Sequence, residues 1–144
     1  MKNMLNNFGL IALLTFCTVS VSAQVVSRTF TKAFNLSGIN HVQLDLPGNV
    51  ELKTWDNETI RFEITVQLPD GSNASMVNEL ASVGRYNLSL TTVNATTSID
   101  APNLKRQIKV RGKELKENIT FLIHVPKNVT VSRPDNTIVA EAKK

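Results

Sequence analysis

Nine consecutive residues, Ile60-Arg61-Phe62-Glu63-Ile64-Thr65-Val66-Gln67-Leu68, alternate apolar and polar side chains without a break. A period of two is the spacing of a strand with one face in a core and the other in water, and a helix cannot use it. The same alternation recurs at Val42–Leu46, where Val42, Leu44 and Leu46 share a face, at Val50–Trp55, at Tyr86–Thr92, at Gln107–Arg111 and at Asn118–Val125. Between these runs lie turn residues: Pro47-Gly48-Asn49, Asp56-Asn57-Glu58, Gly112-Lys113-Glu114 and Pro126-Lys127-Asn128. Val129–Ser132 and Ile138–Ala140 read as short final strands. The pattern predicts an all-β chain of about eight to nine strands, and the first three, joined by short turns, read as a β-meander.

One stretch breaks the period. Ala74–Ser82 places Met76, Val77 and Leu80 on one helical face, with Ser72 or Asn73 positioned as N-cap and Gly84 as the stop. About two turns of helix need a sheet to pack against. The polar stretch Asn94-Ala95-Thr96-Thr97-Ser98 carries no strand signal.

The amino-terminus has a different character. Lys2 precedes an apolar run from Phe8 to Val21 that ends on the small residues Val21-Ser22-Ala23, the layout of a cleavable export signal. The run is shorter than the roughly 20 residues of a bilayer span. Residues 1–23 are therefore expected to be a signal peptide, and residues 24–144 a single β-rich domain with a frayed tail, without a transmembrane anchor. The lone cysteine, Cys17, falls in the signal. Phe16 before it is too bulky for a lipoprotein signal, which needs a small residue there. The exported domain thus lacks cysteine and relies on its packed core, in the periplasm, on the outer surface or in the medium. Seven Asn-x-Ser/Thr sequons, at Asn35, Asn57, Asn73, Asn87, Asn94, Asn118 and Asn128, follow from a chain rich in turn residues.

Catalytic equipment is sparse. Loss of Cys17 excludes a thiolate nucleophile, and the only histidines are His41 and His124. His41 and Asp45 share a strand face, but their Cα atoms are roughly 13 Å apart at strand rise. His124 alternates with Phe121, Ile123 and Val125 and reads as a structural histidine between layers. No short ligand spacing marks a metal site and no Gly-rich loop marks a phosphate site. The reading is not an enzyme, with no cofactor. The formal charge of +4 is interspersed in sign, unlike that of a nucleic-acid binder.

One charge cluster stands out. Lys105, Arg106, Lys109, Arg111, Lys113 and Lys116 enclose Glu114 as their only acid. With Ile108 and Val110 inward, Gln107, Lys109 and Arg111 project from one strand face, where they suit an anionic glycan or the head groups of an envelope lipid. A charged edge that prevents aggregation is the other use of such a stripe.

The segment Phe34-Asn35-Leu36-Ser37-Gly38-Ile39-Asn40 followed by Val42-Gln43-Leu44, a Gly turn and Val50-Glu51-Leu52, together with Ile119-Thr120-Phe121-Leu122-Ile123-His124-Val125-Pro126-Lys127-Asn128-Val129-Thr130-Val131, resembles the adhesin domains of bacterial envelope proteins, the auto-transporter adhesin head or GIN-type family. The likeness runs from about Arg28 to Val131. It implies stacked β-solenoid architecture and an adhesive role. With a single Val-Pro turn unit the chain is too short for many rungs, so a compact two-layer β-sandwich or a short β-roll is expected. The function expected is an exported, non-catalytic adhesin-like binding module. The alternative is a structural or accessory protein that assembles through its sheet edges.

Overall fold

The computed structural model describes residues 25–69, 72–134 and 138–140. The expected signal peptide with Cys17 and the tail at 141–144 lie outside the described residues. In chain order the elements are β1 (Val26–Asn35), β2 (His41–Asp45), β3 (Asn49–Trp55), β4 (Thr59–Leu68), α1 (Ala74–Ser82), β5 (Ser89–Val93) and β6 (Thr96–Asp100). A two-residue ribbon follows, β7 (Lys109–Val110) and β8 (Lys113–Glu114), then β9 (Asn118–Pro126), β10 (Thr130–Ser132) and β11 (Ile138–Ala140).

The strands form two main sheets. Sheet A has the order β1-β4-β9-β3 and sheet B the order β11-β10-β2-β6-β5. The alternation in β4 does what it predicts: Ile60, Phe62, Ile64, Val66 and Leu68 are all fully buried. They join Phe121, Ile123 and Val125 of β9 and Val42, Leu44, Ile99 and Val131 of sheet B in one core cluster. Each such side chain contributes about 1.5–3 kcal/mol by leaving water. The fold is thus all-β, with two layers over a common core and one short helix.

Its connectivity is part sandwich and part roll. The chain passes from sheet B to sheet A between β2 and β3, and from A to B between β9 and β10, so that β3 runs parallel to β9 while β2 runs parallel to both β6 and β10. Gly48 makes the first corner. Its φ is +97° and a Cβ there would lie 2.5 Å from the Ile119 carbonyl oxygen, so only glycine fits.

The expected meander is not formed. β2 and β3 belong to different sheets, and β9 lies between β3 and β4, hydrogen-bonded to both. The connection at 56–58 crosses the end of β9, where Trp55 sits opposite Pro126, and Lys127 Nζ meets Asp56 Oδ1 at 2.5 Å. Three strands are also added: β1, β6 and the two-residue β8, which forms where a turn is expected. β1 pairs with β4 over its whole length but turns only Val26, Phe30 and Phe34 toward the core, while Arg28 and Lys32 stay exposed at the sheet edge. β6 occupies the polar stretch, burying Thr97, whose hydroxyl meets that of Thr92 at 2.9 Å.

Helix α1 follows its signals. Asn73 caps it, its Oδ1 accepting from the Ser75 amide at 2.9 Å. At the other end Gly84 N–H donates to the Ala81 carbonyl and Arg85 N–H to that of Leu80, the paired bonds of a glycine-terminated helix. Among the described residues no helix is long and apolar enough to cross a membrane.

Candidate functional site

The end of α1 aims Arg85 and Tyr86 toward the loop that follows β6. Ala101 and Leu104 sink into the core and fix that loop, and Asn103 Nδ2 donates to the Gly84 carbonyl at 2.9 Å. Against it Arg85 spends its whole guanidinium. Nε and Nη2 donate to Glu117 Oε2 at 3.0 and 2.6 Å, and Nη1 donates to the carbonyls of Asn103 and Arg106. Tyr86 OH donates to the other Glu117 oxygen at 2.8 Å. The pair is deeply placed, with 8% of the Arg85 and 3% of the Glu117 side chain exposed. Burial, followed by the bond to and the charge of Glu117, pushes the Tyr86 phenol well above its ordinary value, with Arg85 acting weakly in the opposite sense.

Arg85 and Glu117 floor a cleft of about 420 Å³. Its walls are the Pro47-Gly48-Asn49 corner, the loop from Leu104 to Ile108 and the link from Glu114 to Ile119. Lys105, Arg106, Gln107 and Lys116 belong to this lining. Lys105 is ion-paired to Asp45 across the cleft edge. Arg106 and Lys116 are exposed and form no ion pair among the described residues.

The other cations of the sequence cluster leave the cleft. Lys109 and Lys113 sit on the β7–β8 ribbon, and Arg111 with Gly112 forms its turn, with φ of 51° and 78°. Two left-handed residues in succession make the hairpin turn whose twist matches the strands. The single strand face of Gln107, Lys109 and Arg111 therefore does not exist: β7 begins only at Lys109 and ends at Val110, one residue earlier than expected, and Arg111 is already in the turn. The cations divide into a cleft group, Lys105, Arg106 and Lys116, and a ribbon-tip group, Lys109, Arg111 and Lys113. Glu114, the one acid among them, accepts from Gln107 Nε2 at 3.2 Å.

A second polar cluster lies on the outer face of sheet A. His124, expected between the layers, is on this face, with its ring 5.2 Å from that of Trp55. The Arg61 guanidinium stacks on Trp55 at 4.9 Å and binds Glu63 at 2.8 Å, and His124 Nε2 lies 3.3 Å from both partners. His41 and Asp45 stand at the two ends of β2, with Asp45 already held by Lys105. Among the described residues no three His, Cys, Asp or Glu side chains gather as a metal site would require. Arg85, Tyr86 and Glu117 carried no signal in the sequence, since the two charges are brought together across 32 positions by the helix end alone.

What the fold and site define is a two-layer β protein with a cationic cleft beside a basic hairpin. No protein-family profile matches the chain and no curated protein does. Among solved structures, a candidate cell adhesion protein from Clostridium sporogenes is similar at 11% identity and a TM-score of 0.38. The match covers 74% of this chain and 45% of that one, so the chain spans less than half of its length. A likeness at that level assigns neither a family nor an activity.

Proposed function

We propose that the protein is an exported, non-catalytic binding module of adhesin-like type that holds an anionic glycan or the phosphate head groups of an envelope lipid. The observation that carries this reading is the set Arg106, Lys109, Arg111, Lys113 and Lys116, all exposed and without an ion pair among the described residues, around the mouth and flank of one cleft. Cations left without counter-ions on a short hairpin and the cleft beside it keep their charge available for a ligand. Lys105 plays a smaller part, because Asp45 already engages it. The reading is supported by the export expected from residues 1–23, since glycans and lipid head groups are the anions such a surface would meet outside the cytoplasm.

The test is retention of the full chain on a sulfated polysaccharide and, separately, on vesicles with and without anionic lipid. Replacing Lys109 and Arg111 together by Ala is expected to weaken retention about 30-fold, at about 1 kcal/mol per cation near an anionic surface. Added salt should weaken the wild type in parallel. Retention on only one of the two supports names the ligand source. Unchanged retention of the double variant on both removes the hairpin from the account.

A further inference from the structure

The four sheet edges are not equally guarded. An edge strand offers a row of free backbone donors and acceptors to any other strand, and charged side chains are the usual defence. β1 carries Arg28 and Lys32, and β3 carries Glu51 and Lys53, which pair with each other at 3.5 Å. β11 is three residues long. β5 has neither protection: from Tyr86 to Ile99 the sequence contains no charged residue.

All five residues of β5, Ser89-Leu90-Thr91-Thr92-Val93, are exposed. Among the described residues no strand lies on its far side. Opposite Leu90 stands the fully buried Ile99, so Leu90 points to the core side of sheet B, yet 36% of it remains in water. Val93 on the other face is 61% exposed. Thr and Val suit a pleated, half-buried surface. The Asn94-Ala95 turn, with φ of 48° and 63°, keeps β5 paired to its last residue.

We propose that β5 is a self-association edge, at which two copies pair antiparallel, β5 to β5, about a twofold axis through Thr91. Ser89 then faces Val93 of the second copy, Leu90 faces Thr92, and Thr91 faces itself. The occupant is a second copy because the edge is uncharged over its whole length. It offers a foreign strand no charge to select it by, whereas two identical strands oppose no charges and repeat one hydrogen-bonding pattern. The two Leu90 side chains meet diagonally on the core side, so the apolar layer continues across the junction. One strand pair buries less than the roughly 1,200 Å² of a standard stable complex, so the association is weak and concentration-dependent. This inference is independent of the anionic ligand, which is tested by retention and not by mass.

Sedimentation of the full chain over a concentration series tests it. The wild type is expected to move from one copy toward two as it reaches millimolar concentration. Thr91→Lys and Thr91→Glu, each checked for an unchanged circular dichroism spectrum, should associate at least ~10-fold more weakly, because like charges then face each other at the axis. An equimolar mixture of the two variants should regain the dimer. A wild type that stays single at millimolar concentration would overturn the proposal, as would Thr91→Lys variants that associate like the wild type. A mixture of folded variants that stays single overturns it too, and points instead to a strand from another protein.

Discussion

The molecule holds two arginine–glutamate pairs of the same chemistry in opposite settings. Arg85 and Glu117 lie under the cleft, almost wholly out of water, with each guanidinium nitrogen and both carboxylate oxygens engaged. Arg61 and Glu63 lie on the open face of sheet A, with 35% and 30% of their side chains exposed, and Arg61 Nε, itself shielded from water, has no hydrogen-bond partner among the described residues. Depth, not distance, separates them, since their closest contacts are 2.6 and 2.8 Å. Charges withdrawn from water must be matched bond for bond, while a pair with about a third of each side chain in water keeps enough hydration to tolerate one unmatched nitrogen. The Arg85–Glu117 pair therefore belongs to the architecture of the cleft, and the exposed positive charge there without an ion pair among the described residues is that of Arg106 and Lys116.

Three substitutions press on this contrast. The largest effect is expected from Glu117→Gln, which strands the buried Arg85 charge and should cost about 3–5 kcal/mol in urea unfolding. A loss comparable to that of a surface pair would break the contrast. Next comes Tyr86→Phe, which takes one donor from Glu117 and should cost about 1–3 kcal/mol at neutral pH. It also has a pH signature. The folded phenol keeps its proton where an unfolded tyrosine releases it, so the unfolded state binds fewer protons above about pH 10 and stability falls as pH rises. Melting temperatures of the Phe variant should lack that part of the alkaline decline. Tyr86 is the only tyrosine, so its absorbance titration reports this group directly. The smallest effect belongs to Glu63→Ala, expected below about 1 kcal/mol and shrinking with added salt, because both partners are partly solvated and Arg61 keeps its stacking on Trp55.

What the residues revealed in advance depended on how each element earns its place. β4 and β9 are buried on one face by strict alternation, and α1 is bounded by its Asn73 cap and Gly84 stop, so all three were legible. β6 was not, because its burial rests on Thr97 and its neighbour Thr92 as much as on Ile99, and hydroxyls in a Thr-Thr-Ser run read as loop. β1 was hidden because at the sheet edge Arg28 and Lys32 share the parity of Phe30 and Phe34. The cations were visible as a count but not as an arrangement, since Arg111 enters a left-handed turn that arginine does not announce. The floor of the cleft was illegible for a simpler reason: nothing local ties position 85 to position 117.

The short crossing from β3 to β4 has a consequence for the order of events as the chain is made. β3 and β4 emerge early with a gap between them one strand wide, and the strand that fills it, β9, begins 50 residues after β4 ends. Until residues 118–126 arrive, β3 has no native neighbour, and its easiest partner is the one the turn at 56–58 offers, β4 itself. The hairpin that a reader draws from the sequence is thus the rival that the growing chain must give up. Such long-range closure is paid in time, since distant strands must meet before either is rewarded.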